Sequence, residues 1–206
     1  MTDGPITLGL TGSIGMGKST TLDLFEAAGC VVWDADAAVH RLYAPGGAGA
    51  AAVAEAFGVG VLDAAGGVDR AALSRVVLGD EAALARLEAL VHPLVGADRR
   101  AFLSRARMEG ARIAVLDVPL LFETGNPDAF DAVVVVTADA AARRARVLAR
   151  PGMTEAKLAA ILARQLPEAE RVPRADHVVR TDRGVDAARV QVTGILRAVR
   201  EKHGLA

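Results

Sequence analysis

The chain has 206 residues, 52% of them hydrophobic and 24% charged, and its formal net charge is −1 at pH 7. This length can hold one α/β core with small excursions, and the near-neutral charge argues against a nucleic-acid partner, which requires a clustered positive surface. Residues 1–5 lack a charged-then-apolar signal pattern and no apolar run reaches membrane-spanning length, so we expect a cytoplasmic protein with no membrane partner.

Apolar runs and helical segments alternate along the chain. The runs are mostly continuous, which is typical of strands buried on both faces of a parallel sheet, and they predict strands over Ile6–Thr11, Cys30–Trp33, Arg112–Val118, Ala132–Val136 and His177–Val179. The segments between them predict helices that include Ser19–Ala28, Ala140–Ala149, Glu155–Gln165 and Val185–Lys202. The alternation predicts an α/β fold built on a doubly wound parallel five-stranded sheet.

The first predicted strand runs directly into a phosphate-binding loop. The motif is G-x-x-x-x-G-K-[ST] followed by a helix, and it consists of Gly12, Ser13, Ile14, Gly15, Met16, Gly17, Lys18 and Ser19. The glycines let successive N–H groups point inward as a nest for anionic oxygens. Lys18 supplies a positive charge for the β- and γ-phosphates, and the Ser19 hydroxyl suits Mg²⁺. The motif predicts a bound nucleoside triphosphate.

Two intervals interrupt the alternation of strands and helices. Residues 40–108 show helical patterns and Gly-rich turns without a clear strand, and because this length is too great for a loop we expect a helical subdomain. Residues 140–165 predict two helices joined by a turn at Pro151 and Gly152, which we interpret as a lid over the nucleotide. We therefore expect a single domain whose core comprises about 1–39, 109–139 and 166–206.

Carboxylates follow two of the predicted strands. Asp34 and Asp36 come after the second strand, where ligands bind in open α/β folds. A carboxylate there could orient a substrate hydroxyl and accept its proton, or it could cap the next helix. We hold the two roles open for Asp34 and favour catalysis for Asp36. Asp117 ends the third strand and has the form of an acid that helps to hold Mg²⁺ through water.

The remaining arginine, histidine, asparagine and cysteine residues restrict the reactions and the protein classes that fit this sequence. Arg146 and Arg150 are four residues apart on one helix face and could offset charge on the transferring phosphate, whereas we interpret Arg143 and Arg144 as a solvated face. The histidines are scattered without metal-ligand spacing. The only asparagine is followed by proline, which excludes a guanine-specific switch with an Asn-Lys-x-Asp segment. The only cysteine, Cys30, is interpreted as a small buried hydrophobe in a reducing compartment.

The chain resembles the dephospho-CoA kinase family from about Ile6 to beyond Asp176. The resemblance rests on an ordered set of motifs: the loop from Leu10 through Thr20, Asp34-Ala35-Asp36 with His40 and Pro45-Gly46, Asp69-Arg70-Ala71-Ala72-Leu73, Leu87-Glu88, His92-Pro93-Leu94, Asp117-Val118-Pro119-Leu120-Leu121-Phe122-Glu123, Arg146, Arg150, Gln165 and Ala175-Asp176. Three positions depart from the family's usual pattern, which has Asn at Thr181, Phe at Leu78 and an aliphatic residue at Trp33.

The resemblance implies a P-loop kinase that phosphorylates the ribose 3′-hydroxyl of dephospho-CoA with ATP and Mg²⁺. It implies that Asp36 is the general base, that Lys18 and Arg146 act on the transferring phosphate, and that 40–108 is an acceptor-binding insertion. ATP would contact the loop, including Thr20, and Arg150. The acceptor would contact Asp34, His40 and His92, although Pro93 also makes His92 a good helix boundary, the role that we favour slightly. We expect a monomer or a small homo-oligomer.

Two other readings are weighed against this one. A small-molecule kinase acting on nucleoside monophosphates is chemically close, since dephospho-CoA itself contains an adenosine. The alternative from another class is a nucleotide-dependent switch or assembly ATPase. Asp36 and the long helical insertion argue against this second alternative, because an enzyme that activates water needs no pocket for a large alcohol.

Overall fold

The computed structural model describes residues 4–123 and 125–205. Strands and helices follow one another through most of this length. The strands are β1 Ile6–Thr11, β2 Val31–Asp34, β3 Ile113–Asp117, β4 Ala132–Thr137 and β5 His177–Arg180. The helices are α1 Lys18–Ala27, α2 Ala35–Tyr43, α3 Ala48–Phe57, α4 Arg70–Val77, α5 Glu81–Met108, α6 Ala140–Leu148, α7 Glu155–Leu162, α8 Glu168–Arg171 and α9 Val185–Lys202, with short 3₁₀ turns at Val59–Val61, Pro127–Ala129 and Val172–Arg174.

The five strands form one sheet in the order β2-β3-β1-β4-β5. β1 lies at its centre and pairs in parallel with both β3 and β4, while β5 pairs in parallel with β4. In this register Leu10 of β1 is opposite Asp117, and Thr11 is opposite Val135. The ends of β1, β3 and β4 therefore meet at one edge of the sheet, where the phosphate-binding loop leaves β1. The predicted α/β fold with a parallel five-stranded sheet is confirmed.

The chain divides into two compact units. The first takes the described residues of Met1–Val32 and Ala106–Ala206. Its main core lies between the sheet and two helices, α1 and α9, and includes the fully buried side chains of Leu8, Leu10, Phe25 and Val134. These continuous apolar strands, buried on both faces, are what the sequence pattern predicted.

The second unit comprises Trp33–Arg105. From Ala35 onward it is helical apart from its turns and an isolated antiparallel bridge between Leu62 and Val68. A small apolar cluster that includes Val53 and Val61 forms its core. Aspartates cap the start of three of its helices, α2, α4 and α5, as short acidic side chains favour. For example, Asp69 accepts hydrogen bonds from the backbone N–H groups of Ala71 and Ala72 at the start of α4.

Two predicted boundaries are wrong. Pro93 was expected to begin a helix, but α5 runs through it without a break. Pro93 cannot donate a hydrogen bond to the carbonyl of Ala89, but Ala89 is exposed, so water can reach that carbonyl. The remaining turns of this 28-residue helix keep their own hydrogen bonds, and the helix continues through the proline. The helix predicted to reach Gln165 ends at Leu162, which leaves Gln165 in a separate turn. The other strand and helix ends agree within one residue.

Cys30 lies in the main core of the first unit and is 6% exposed. Burial raises the pKa of its thiol to about 11, with a smaller opposing effect of Arg200. Since the thiolate is the reactive form, this cysteine is a buried hydrophobe without nucleophilic character. We expect no reaction of the native protein with a thiol reagent such as DTNB at pH 8, and one equivalent released after unfolding in guanidinium chloride. Rapid labelling of the native protein would contradict this.

Within the described residues, no helix is both long enough and apolar enough to cross a membrane.

Candidate active site

The phosphate-binding loop has room only for glycine at three positions. Gly15 and Gly17 have φ values of 76° and 89°, in the region that favours glycine. A Cβ on Gly12 would lie 2.6 Å from the Val136 carbonyl oxygen, and one on Gly15 would lie 2.5 Å from a methyl carbon of Val147. The loop is thus packed against β4 and α6 on its outer side, which fixes the backbone whose N–H groups make the anion nest.

Lys18 begins α1 and contacts the acid predicted to be near Mg²⁺. Its Nζ atom lies 3.1 Å from Oδ2 of Asp117, and the two side chains are 16% and 5% exposed. A charge-assisted contact in such a sheltered place is stronger than one in water. The structure therefore brings together two residues that lie 99 positions apart in the sequence, as the parallel register of β1 and β3 requires.

The other loop residues divide by the direction of their side chains. Ser19 and Thr20 are exposed in the first turn of α1, where a hydroxyl can meet a ligand. Met16 is 1% exposed and belongs to the main core, and its sulfur accepts a hydrogen bond from the Ala138 N–H at 3.1 Å. Any contact of Met16 with ATP would therefore come from its backbone.

Arg146 of α6 is held against the loop by Thr181, the residue that follows β5. The Arg146 guanidinium donates through Nη1 to the Thr181 hydroxyl and through Nη2 to the Thr181 carbonyl, each at 2.8 Å. Nη1 also donates to the Gly15 carbonyl at 3.4 Å. Arg146 is thus fixed beside the phosphate-binding loop.

The neighbouring arginines have different surroundings. Arg144 forms an ion pair with Glu155 at the surface, in keeping with the solvated face that was expected. Arg143 does not fit that expectation, because it is half-buried and its Nε atom is buried without a hydrogen-bond partner among the described residues. Arg150 is exposed and lies two residues beyond the end of α6, just before the predicted turn at Pro151 and Gly152, which is confirmed. The single helix face predicted for Arg146 and Arg150 is therefore wrong, because the helix ends at Leu148.

Gln165 reaches the outer part of the loop from the segment between α7 and α8. Its amide oxygen accepts hydrogen bonds from the Ser13 hydroxyl and, at 3.3 Å, from the Ile14 N–H. The next residue, Leu166, donates its N–H to Oε1 of Glu123 at 2.8 Å. These contacts join the segment that follows α7 to the phosphate-binding loop and to Glu123.

Glu123 is in turn held by a buried cation. Arg171 of α8 is 1% exposed and donates from Nη2 to the same Oε1 atom at 2.8 Å. Removing one partner of such a buried pair is costly, since the other charge then loses its compensation. The stretch from Asp117 to Glu123, the most particular part of the resemblance, is thus joined at one end to Lys18 and at the other to the residues around Gln165.

The two aspartates after β2 occupy different positions on α2. Asp34 is the N-cap, and its Oδ1 accepts a hydrogen bond from the Ala37 N–H at 2.9 Å, so the capping role that was held open for it is confirmed. Asp36 lies in the first turn and is exposed. His40, also exposed, is one turn further along the same face as Asp36.

A hydrogen-bonded cluster within the second unit holds α2 to α5. The indole N–H of Trp33 donates to Oδ1 of Asp98 at 2.7 Å, and the Arg41 guanidinium donates to the same oxygen at 2.8 Å. Burial alone would raise the pKa of Asp98, but these contacts outweigh it and lower that pKa. Trp33, a departure from the family's usual aliphatic residue, is thereby tied into the segment that carries Asp36. His92 is exposed in α5.

The residues at the loop fit a magnesium ion that arrives with a nucleotide. Among residues 4–123 and 125–205 there is no group of three or more His, Cys, Asp or Glu side chains arranged to hold a metal. Mg²⁺ does not require such a cage, because it keeps several waters and is bound by one or two protein groups together with substrate phosphates. Ser19 and Asp117 are the groups that could supply those contacts.

Three features together define a P-loop kinase. They are a parallel sheet with a phosphate-binding loop after its central strand, a lysine that begins the next helix, and arginines that follow on a later helix. The family model of dephospho-CoA kinase matches residues 6–187. A dephospho-CoA kinase of Mesorhizobium japonicum is 57% identical over 199 residues, which are 97% of this chain and 99% of the relative. The chain therefore belongs to the dephospho-CoA kinase family.

Solved structures agree with the fold. The crystal structure of TT1252 from Thermus thermophilus has a TM-score of 0.80 and 33% identity, covering 95% of this chain and 97% of that one. A dephospho-CoA kinase from Campylobacter jejuni has a TM-score of 0.64 and 20% identity over 94% of this chain and 96% of that one. At that identity the second likeness concerns the fold alone.

Two residues that contact the loop had no role assigned from the sequence. Thr181 follows the last strand of the sheet, so the rule that ligand sites gather at the carboxyl ends of parallel strands could have singled it out. Gln165 belongs to the residues that carry the resemblance, but the sequence pattern placed it at the end of a helix, and its contact with the loop arises only in the tertiary structure.

Proposed function

We propose that this protein transfers the γ-phosphate of ATP to the ribose 3′-hydroxyl of dephospho-CoA, giving CoA and ADP. Membership of the dephospho-CoA kinase family over nearly the whole chain is the observation that carries the proposal. The loop geometry supports it, because the glycines and Lys18 form the phosphate-binding device that such a reaction needs.

The donor side is assigned to the first unit. Backbone N–H groups of Gly15 to Ser19 would bind the phosphates, and the Lys18 ammonium would move from Asp117 to the β- and γ-phosphate oxygens as ATP enters. Arg146, and Arg150 when the α6–α7 lid closes, would offset negative charge on the phosphate in transfer. When bound with ATP, Mg²⁺ would neutralise phosphate charge, held by the Ser19 hydroxyl and by Asp117 through water.

The acceptor side is assigned to the insertion of about 40–108, which lies mostly in the second unit, together with the aspartates that precede it. Asp36, exposed on the first turn of α2, would orient the 3′-hydroxyl and take its proton as the new P–O bond forms. His40 on the same helix face, His92 of α5 and the carboxylate of Asp34 are assigned to contacts with the acceptor. The buried cysteine fits the reducing cytoplasm in which we place the enzyme.

A substrate panel tests the assignment. Purified protein is assayed for ADP release with ATP and Mg²⁺ in the presence of dephospho-CoA, adenosine, AMP, CMP or no acceptor, and the CoA product is identified by mass. We expect turnover with dephospho-CoA to exceed every other acceptor by at least about 100-fold, since a built site rejects analogues that leave its polar groups unpaired.

The controls separate the alternatives. Faster turnover of AMP or CMP would assign the protein to the nucleoside monophosphate kinases instead, and equal ADP release without any acceptor would make it an ATPase. CoA supplied as the acceptor should not be phosphorylated, because its 3′-hydroxyl already carries a phosphate. ADP release that continues with CoA would mean that another hydroxyl is used.

A further inference from the structure

Thr181 lies behind the phosphate-binding loop and is 8% exposed. Its backbone N–H continues the β4–β5 pairing by donating to the Thr137 carbonyl at 2.9 Å, so its position is fixed by the sheet. Its hydroxyl donates to the Met16 carbonyl of the loop at 2.7 Å. A strand end and the loop are therefore joined through one side chain.

The contact with Met16 sets the direction of a loop N–H. In a trans peptide the C=O and the following N–H point in opposite directions. Because the Met16 carbonyl is held toward Thr181, the N–H of Gly17 is turned away from Thr181, to the opposite side of the loop. Gly17 itself has a φ of 89°, and a Cβ there would come within 3.2 Å of the Thr181 side chain, so the threonine packs directly on this peptide.

The same hydroxyl also accepts the hydrogen bond from Arg146 Nη1, while the Thr181 carbonyl accepts from Nη2. Two parallel N–H···O contacts fix the plane of a guanidinium as well as its place. Thr181 thus holds two elements at once, the peptide between Met16 and Gly17 and the cation assigned to the transferring phosphate.

We propose that Thr181 is a positioning residue for phosphoryl transfer, whose hydroxyl couples the backbone of the phosphate-binding loop to the orientation of Arg146. The proposal rests on the proposed function, since it is measured as an effect on that reaction. Its consequence for this chain is specific: the residue that replaces the family's usual Asn serves the loop and Arg146 through its buried hydroxyl.

Three substitutions at this site make the test. Thr181→Val keeps the branched shape and removes the hydroxyl, whereas Thr181→Ser keeps the hydroxyl and removes the methyl group. We expect Thr181→Val to lower kcat/KM for ATP by about 10- to 100-fold, because it loses one or two hydrogen bonds to a charged or constrained partner. Thr181→Ser should retain most of the activity. If the Val variant fails to fold, Thr181→Ala is judged by the same criterion.

A double-mutant cycle with Arg146→Ala provides the readout that a merely structural role would not change. If Thr181 acts through Arg146, the Val substitution should cost less in the Arg146→Ala background than in the wild type, because part of its effect is already lost. Thr193→Val is the matched control, since the Thr193 hydroxyl also donates to a carbonyl, that of Arg189, but on the exposed face of α9. The activity of this variant should stay within about twofold of wild type.

Several outcomes would overturn the proposal. They are wild-type activity in the Val or Ala variant, equal losses in Val and Ser, or strictly additive effects with Arg146→Ala. The proposed function fails separately, when the wild-type protein itself does not convert dephospho-CoA.

Discussion

Replacing Asp36 with Asn is expected to lower kcat with dephospho-CoA by about 10²–10⁴-fold, the usual contribution of a positioned general base. The KM for ATP should change little, since this carboxylate is assigned to the acceptor. An amide keeps the size of the side chain and its exposed place in the first turn of α2, but it cannot accept the hydroxyl proton. Steady-state kinetics with each substrate varied in turn measures both quantities.

Stability separates this role from a structural one. A carboxylate in the first turn of a helix stabilises it by about 0.3–1 kcal/mol, whereas a 100-fold loss of kcat corresponds to about 2.7 kcal/mol. A variant that melts near the wild-type temperature but turns over at a hundredth of the rate has therefore lost chemistry.

Asp186→Asn is the matched control for Asp36→Asn, because the Asp186 side chain is 96% exposed on α9, and its activity should be unchanged. If Asp36→Asn retains most of its turnover, Asp36 is not the general base.

The sequence predicted the sheet well because its three central strands, β1, β3 and β4, are short, largely apolar and buried on both faces. Val134 and Val135 show this plainly, since no amphipathic helix would place so many consecutive valines together. Helix ends were less predictable. Pro93 looked like a boundary by local rules, but in a helix of 28 residues the remaining backbone hydrogen bonds outweigh the loss of one.

For the site, the sequence could indicate residue types at strand ends but not the contacts between distant segments. The Lys18–Asp117 pair follows from strand register, and both residues were singled out beforehand. The support of the loop by Thr181 and Gln165 depends on side chains brought in from segments more than 150 positions away. Such contacts have no local pattern, so only the folded chain reveals them.

The same argument explains why Arg146 and Arg150, which the sequence placed on one helix face, lie in different surroundings in the structure. Both residues are exposed, but Arg146 donates hydrogen bonds to the Thr181 hydroxyl and to the Gly15 carbonyl. The nine-residue helix α6 ends at Leu148, so Arg150 lies beyond it and does not share a helix face with Arg146. We therefore expect Arg146 to contribute with the lid in any position, and Arg150 only through the closure assigned to it.

Lys18→Ala should reduce kcat/KM for ATP by about 10²–10³-fold, comparable to the removal of one fixed donor to developing negative charge. Unlike Asp36→Asn, it should weaken ATP binding as well as turnover, because the ammonium is assigned to phosphate contacts in both the ground state and the transition state. Isothermal titration with a non-hydrolysable ATP analogue measures the first effect and initial rates measure the second. Lys202→Ala, at the exposed end of α9, is the control and should match the wild type.

Because Lys18 forms an ion pair with Asp117, Lys18→Ala should also change the stability of the fold. Removing the ammonium takes one charge-assisted contact from a carboxylate that is 5% exposed, so Lys18→Ala should lower the free energy of unfolding by about 1.5–3 kcal/mol. Adding Asp117→Asn neutralises that carboxylate and should restore much of the stability while leaving the enzyme inactive. If the double variant regains activity along with stability, Lys18 serves the fold and not the phosphate; if Lys18→Ala neither binds ATP less tightly nor turns over more slowly, its assignment to the donor is wrong.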